Sequence, residues 1–145
     1  MKKILSFVAG CLLFSACASM QTANIDWIPI GPEFPPTKAK SIEVISDRSE
    51  VKRPYGILGL CRLMNLSPDR ETLRMGVERG RKFIATKGAD GMIIIPYNSA
   101  EDGDPNPRVT LSIYAIKYVD QLTEEDKKAM EDFEVLGILN EYTAS

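Results

Sequence analysis

The amino-acid sequence predicts an α+β domain: a mainly antiparallel sheet of about four strands in the order β-β-α-β-β-α, with helices packed on it, preceded by a signal peptide and a proline-rich tether. Three observations carry this expectation. Apolar residues recur at strand period or in short buried runs at 41–64 and 91–119, each bounded by Gly, Pro, Asn and Asp. Between them, 68–87 carries apolar residues at helical period. Strands therefore come in pairs rather than alternating singly with helices, which favours antiparallel pairing.

Residues 1–16 open the chain. Lys2 and Lys3 form a short positive region, and Ile4 to Ala16 is apolar apart from small Ser and Gly. Thirteen helical residues reach about 20 Å, short of the roughly 30 Å hydrocarbon core of a bilayer, so the stretch fits the core of a signal peptide rather than a spanning helix. The following Phe14-Ser15-Ala16-Cys17 resembles the lipobox read by lipoprotein signal peptidase, with small residues directly before the cysteine. Phe14 departs from the Leu preferred there. The resemblance implies cleavage before Cys17 and a lipid-modified cysteine. It also implies retention at the outer membrane, since Ala18 is not the Asp that holds such proteins at the inner one. An ordinary secretory peptide cut within Ala16-Cys17-Ala18 is the alternative.

Residues 17–40 read as a lipidated Cys and tether. Pro29, Pro32, Pro35 and Pro36 favour extended polyproline II geometry, at about 3.1 Å per residue. Trp27, Ile28 and Ile30 make the segment more than a spacer. They either pack back on the domain as an arm or offer an apolar strip to a partner.

The domain is expected over 41–140, with a tail at 141–145. Ser41 to Ser46 alternates, placing Ile42 and Val44 inward, and the charged 47–54 is a loop. Tyr55 to Met64 reads as a strand buried on both faces, where Gly56 and Gly59 mark a bulge or a close backbone approach. Ser67-Pro68 suits a helix start, and Gly88 suits its left-handed end. Leu73, Val77, Gly80 and Ile84 share one face with Gly76 and Phe83 beside them. Two glycines on a buried face predict that the helix lies close to the sheet. Gly91 to Tyr97 and Val109 to Val119 form a hairpin about a polar turn, the second strand alternating Val109, Leu111, Ile113, Ala115 against Thr110, Ser112, Tyr114, Tyr118. Thr123-Glu124-Glu125-Asp126 caps a last helix that turns Ala129, Phe133 and Leu136 to the core.

Composition excludes several chemistries. There is no histidine, so Ser-His-Asp and Cys-His catalysis and His-ligated metal sites are ruled out. Of the three cysteines, Cys11 is removed with residues 1–16 and Cys17 is consumed by lipid, leaving Cys61 as an inert core thiol or a partner in an intermolecular disulfide. Removing residues 1–16 leaves 16 basic against 20 acidic side chains, a balance that disfavours nucleic acid. Asp102, Asp104 and Asn106 imitate the start of a calcium loop, but Pro107 stands where that loop needs Gly and Ile113 where it needs Glu. No catalytic residue, metal site or cofactor is expected.

The remaining candidates are interface residues. Arg70, Arg74 and Arg81 fall within about 40° on one flank of the long helix, placed either to meet phosphate or carboxylate or to be neutralised by Glu71 and Glu78. Tyr114 and Tyr118 either form an aromatic contact patch or lie beneath the last helix. Trp27 belongs to the strip described above.

Phe34-Pro35-Pro36-Thr37, Ile42-Glu43-Val44, Pro54-Tyr55-Gly56-Ile57-Leu58-Gly59 and Lys87-Gly88-Ala89-Asp90-Gly91-Met92-Ile93-Ile94 form a layout over 34–97. It resembles small bacterial lipoproteins with a Pro-Pro-Thr lead and a helix closing on Gly-Ala-Asp, a layout similar to the Rcs stress-sensor lipoprotein and YbjQ-type domains. The resemblance implies a small envelope α+β domain. It does not carry over the sensor's disulfides, because no second cysteine is available, nor the metal role of YbjQ-type domains. The Gly-Ala-Asp turn also has a local account, with Gly88 ending the helix and Asp90 bonding nearby backbone N–H groups. The expected function is a lipid-anchored, non-catalytic binding, sensor-type or structural module on the periplasmic side of the outer membrane, meeting an envelope protein or the cell wall. The alternatives are a small-ligand carrier or, less favoured, a carboxylate-dependent cell-wall hydrolase.

Overall fold

A computed structural model describes residues 24–98, 103 and 105–131. Residues 1–16, Cys17, Glu101, Asp102, Asp104, Phe133, Leu136 and the tail 141–145 lie outside them.

The chain forms an α+β fold with a five-stranded mixed sheet: β1 (Ile25–Pro29), β2 (Glu43–Ile45), β3 (Tyr55–Leu66), α1 (Arg70–Ala85), β4 (Gly91–Asn98), β5 (Val109–Tyr118) and α2 (Glu124–Glu131). The sheet order is β1-β3-β5-β4-β2, antiparallel throughout except for the parallel β2–β4 pair. The extra strand is β1, within residues expected to be tether. Ile25–Pro29 pairs with Gly59–Leu63 of β3, so this segment is a bound arm. Its Pro29 and the three-residue length of β2 limit how far either edge strand can template another chain.

The β4–β5 hairpin forms as its alternation predicts. Pro96 is tolerated inside β4 because β2 pairs only with Gly91–Ile93, leaving the rest of β4 an edge that needs no N–H there. Β3 and β4 both run antiparallel to β5, so they are parallel to each other and α1 is the crossover between them.

Helix α1 starts two residues later than expected. Asp69, not Ser67, is the cap, accepting the Thr72 N–H at 2.8 Å, and Pro68 lies before it. At its far end Gly88 has φ +82°. Its buried residues are Gly76, Gly80, Ile84 and Ala85. The close approach predicted from the glycines is present: a Cβ on Gly76 would stand 3.1 Å from methyls of Leu66 and Leu111, and one on Gly80 would overlap Ile113. Helix α2 is capped by Thr123, whose hydroxyl accepts the Asp126 N–H at 3.2 Å, and it buries Met130.

The sheet has two unequal faces. The helix face holds Leu58, Cys61, Leu63, Leu66, Met92, Leu111, Ile113 and Ala115 with Ile84 and Met130. On the other face Ile45, Ile93, Ile116 and Tyr118 form a smaller cluster with Val51, Tyr55, Ile57 and Tyr114 packed on it. The expected inward pair of the first strand is thus corrected. Ile42 is buried, but Val44 is exposed and Ile45 takes the second inward place, on the face opposite the helices.

Candidate functional site

The polar groups converge on one end of the sheet, where the Gly-Ala-Asp turn meets the arm. Phe34 packs on Gly88, and no side chain fits there, because a Cβ on Gly88 would stand 2.5 Å from Phe34 Cβ and 2.7 Å from its carbonyl oxygen. Thr37 donates its hydroxyl to the Ala89 carbonyl at 2.5 Å, and its N–H to the Ala85 carbonyl at 2.9 Å. Asp90 then fastens three strands. Its carbonyl accepts the Glu43 N–H and its N–H donates to Ile116. Its carboxylate pairs with Lys117 at 3.0 Å and accepts the Tyr118 N–H at 3.1 Å.

Tyr118 extends this cluster. Its hydroxyl donates to Glu43, the Arg53 guanidinium lies 3.9 Å from its ring centroid, and Arg53 closes a bidentate pair with Asp120 at 2.7 and 2.9 Å. Burial pushes the Tyr118 phenol up to about 12, with the Glu43 hydrogen bond and charge adding to the effect. The Arg53 hydrogen bond holds the Asp120 carboxyl below its ordinary value. Each acid here is occupied by a backbone, phenol or guanidinium partner, so the arrangement locks crossing segments together.

The six interface candidates separate. Trp27 packs on Gly59, where a Cβ would collide with its six-membered ring, and meets Phe83 of α1 edge-on at 5.7 Å between ring centroids. Of the two readings of this strip, Trp27 follows the arm. Ile28 and Ile30 stay exposed. Tyr118 is buried and is no contact patch. Tyr114 is half-buried beneath Arg48, 4.8 Å from its ring centroid. Among the described residues the crossing segment 46–54 overlies both tyrosines, whereas α2 buries Met130 on the opposite face of the sheet. Arg81 pairs with Glu78 at 3.3 Å, as the spacing allows. Arg70 and Arg74 are exposed and form no ion pair among the described residues.

Cys61 is fully buried, and burial with the nearby Asp26 charge pushes its thiol up to about 11, so it is a poor nucleophile. Among the described residues no three Cys, Asp or Glu side chains group to hold a metal ion, and no helix is long and apolar enough to cross a membrane.

Two exposed side chains escaped sequence reasoning: Tyr97, 62% exposed near the end of β4, and Met75, 55% exposed on α1. The period-two pattern gives the sheet face on which Tyr97 lies but not that Tyr97 is left exposed there.

No family model and no curated protein matches the chain. Among solved structures, the crystal structure of the Francisella virulence factor FvfA is similar in part, 19% identical with a TM-score of 0.49, over 63% of this chain and 95% of that one.

Proposed function

We propose that the protein is a lipid-anchored, non-catalytic module of the bacterial cell envelope. It is exported, cleaved before Cys17, acylated on that cysteine and held on the periplasmic side of the outer membrane, where its domain meets an envelope protein or the cell wall. The observation that carries this reading is the run from Lys2 to Cys17: a positive start, an apolar stretch too short to span, and Ser-Ala-Cys. Two or three acyl chains at ~0.8 kcal/mol per buried CH₂ make such an anchor effectively permanent.

The non-catalytic part draws support from where the acids are used. Asp26, Asp69, Asp90 and Asp120 each hold an arginine, a lysine or a backbone N–H. A hydrolase working through carboxylates needs two of them facing a groove about 5–10 Å apart. Cross-linking on intact cells, followed by purification of the chain, tests the role. An envelope protein or cell-wall fragment should be enriched over an anchored control domain, and absence of any enrichment would remove the binding role.

A further inference from the structure

The geometry points to a second membrane contact, made by the folded domain itself: the end of the sheet carrying Tyr97, with Arg70, Arg74 and Met75 of α1, rests on the phospholipid headgroups of the bilayer that holds the anchor. This rests on lipidation at Cys17. Only residues 18–24 separate Cys17 from β1, and eight steps of about 3.5 Å reach at most about 28 Å. Strand β3 alone, with 12 residues at about 3.3 Å each, is about 40 Å long. The linker is therefore shorter than the domain, which cannot turn over on it.

The register fixes which end is held down. Ile25 pairs with Leu63, three residues before β3 ends at Leu66, and Leu66 and Asn98 both pair with Val109. The anchor thus enters beside Leu66, Asn98 and Val109, and α1 begins four residues after Leu66. The clasp of Phe34, Thr37, Asp90 and Tyr118 lies at the opposite end. The two most exposed large apolar side chains among the described residues, Tyr97 and Met75, belong to the anchored end, Met75 on α1 and Tyr97 with Ile95 two residues behind it on the sheet face opposite α1. Arg70 and Arg74, one turn apart and without ion pairs among the described residues, add positive charge. An amphipathic tyrosine, a flexible thioether and two arginines suit a headgroup layer. Glu71 is also exposed there, and Glu101, Asp102 and Asp104 follow in the adjoining sequence, so the electrostatic part of the contact is modest.

The test uses the full chain, exported, acylated and reconstituted in vesicles of phosphatidylethanolamine and phosphatidylglycerol at three to one. A fluorophore is attached at Tyr97→Cys or, as the distant control, at Lys40→Cys; the buried Cys61 does not compete for label. Lipid spin-labelled at the headgroup should quench the probe at 97 at least twofold and leave that at 40 unchanged. Adding Arg70→Glu and Arg74→Glu, both exposed, turns that modest attraction into repulsion from the anionic lipid and should cut the quenching at 97 by at least half with no change in thermal melting. Equal quenching at the two positions, or none at 97 while the mass shows an acylated Cys17, overturns the contact but leaves the anchor standing. Quenching at 97 that ignores the arginine changes and persists on phosphatidylcholine alone means that the linker sets the height without docking, and also overturns it. An unmodified Cys17 overturns both.

Discussion

Asp90 joins the helix end to three strands through one side chain and its own backbone. It pairs with Lys117, both side chains being mostly buried (16% and 14% exposed), while also accepting the Tyr118 N–H. Asp90→Ala leaves the largely buried Lys117 ammonium with only the Gly88 carbonyl, at 3.0 Å, and the Tyr118 N–H without its acceptor, and should cost about 1–3 kcal/mol. Asp90→Asn keeps an acceptor and should cost less; equal melting temperatures for wild type and Asp90→Ala would contradict this role. Two groups set the alkaline limit. The Cys61 thiol and Tyr118 phenol are held neutral, raised to about 11 and about 12 from ordinary values of 9.0 and 10.0. The folded state then binds more protons than the unfolded chain above about pH 9, so their contribution is complete below that pH and is lost as pH rises through about 9–12. Thermal melting from pH 8 to 11.5 should show this fall, and Cys61→Ala with Tyr118→Phe should flatten it. The sequence reading assigned Asp90 to backbone N–H groups, and that was legible because a Gly-Ala-Asp turn is local. Its partners Lys117 and Tyr118 were not, since 27 and 28 residues separate them from it.

Helix α1 and the strands beneath it show how two similar glycines differ. Replacing Gly by Ala in a helix gains roughly 1 kcal/mol of propensity. At Gly76 the new methyl meets only the tips of Leu66 and Leu111 at 3.1 Å, so Gly76→Ala should be near neutral. At Gly80 it would stand 2.3 Å from Ile113 Cδ1, so this fully buried side chain must shift within the core. Overpacking of about 1–3 kcal/mol then wins, and Gly80→Ala should lower the melting temperature. The reverse order in chemical denaturation would contradict the packing. Strand β1 depends on Trp27 in the same way. Trp27→Ala removes its contacts with Gly59 and Phe83, should cost about 2 kcal/mol, and should speed amide exchange across Ile25–Pro29 ahead of the rest of the sheet. The helix face, the hairpin and the Thr123 cap were legible from period and spacing. That 25–30 packs back as an arm was legible as one of two readings of Trp27, Ile28 and Ile30; that the arm is a strand was not, because only the long-range pairing with Gly59–Leu63 makes it one. The alternation puts Tyr118 on a polar face for a related reason: the described residues that cover it, Val51 and Arg53, come from a crossing loop, and loops carry no periodicity.

At the scale of the molecule, one end of the sheet is clasped and the other is where β1 begins, eight residues after the proposed anchor at Cys17. Phe34, Gly88, Asp90 and Tyr118 close the end where the chain crosses from β1 to β2 and from α1 to β4. The opposite end receives the linker, with Tyr97 and Met75 exposed beside it. Because residues 25–40 lie on the domain, seven residues separate Cys17 from β1, rather than the 23 of the expected tether. Fully extended, seven residues span at most about 28 Å instead of about 70 Å, which with the proposed anchor at Cys17 would hold the domain near the bilayer surface. Inserting ten Gly/Ser residues after Ala23 should release it, seen as loss of the spin-label quenching at residue 97 without loss of membrane association. All of this depends on the modified cysteine. The decisive measurement is the intact mass of the mature protein extracted from membranes, alongside Cys17→Ala. The account predicts a chain beginning at Cys17 and heavier than its sequence by a diacylglyceryl group and an amide-linked acyl chain, with Cys17→Ala lacking that mass and leaving the membrane fraction. An unmodified N-terminus at Ala18 or later would contradict it.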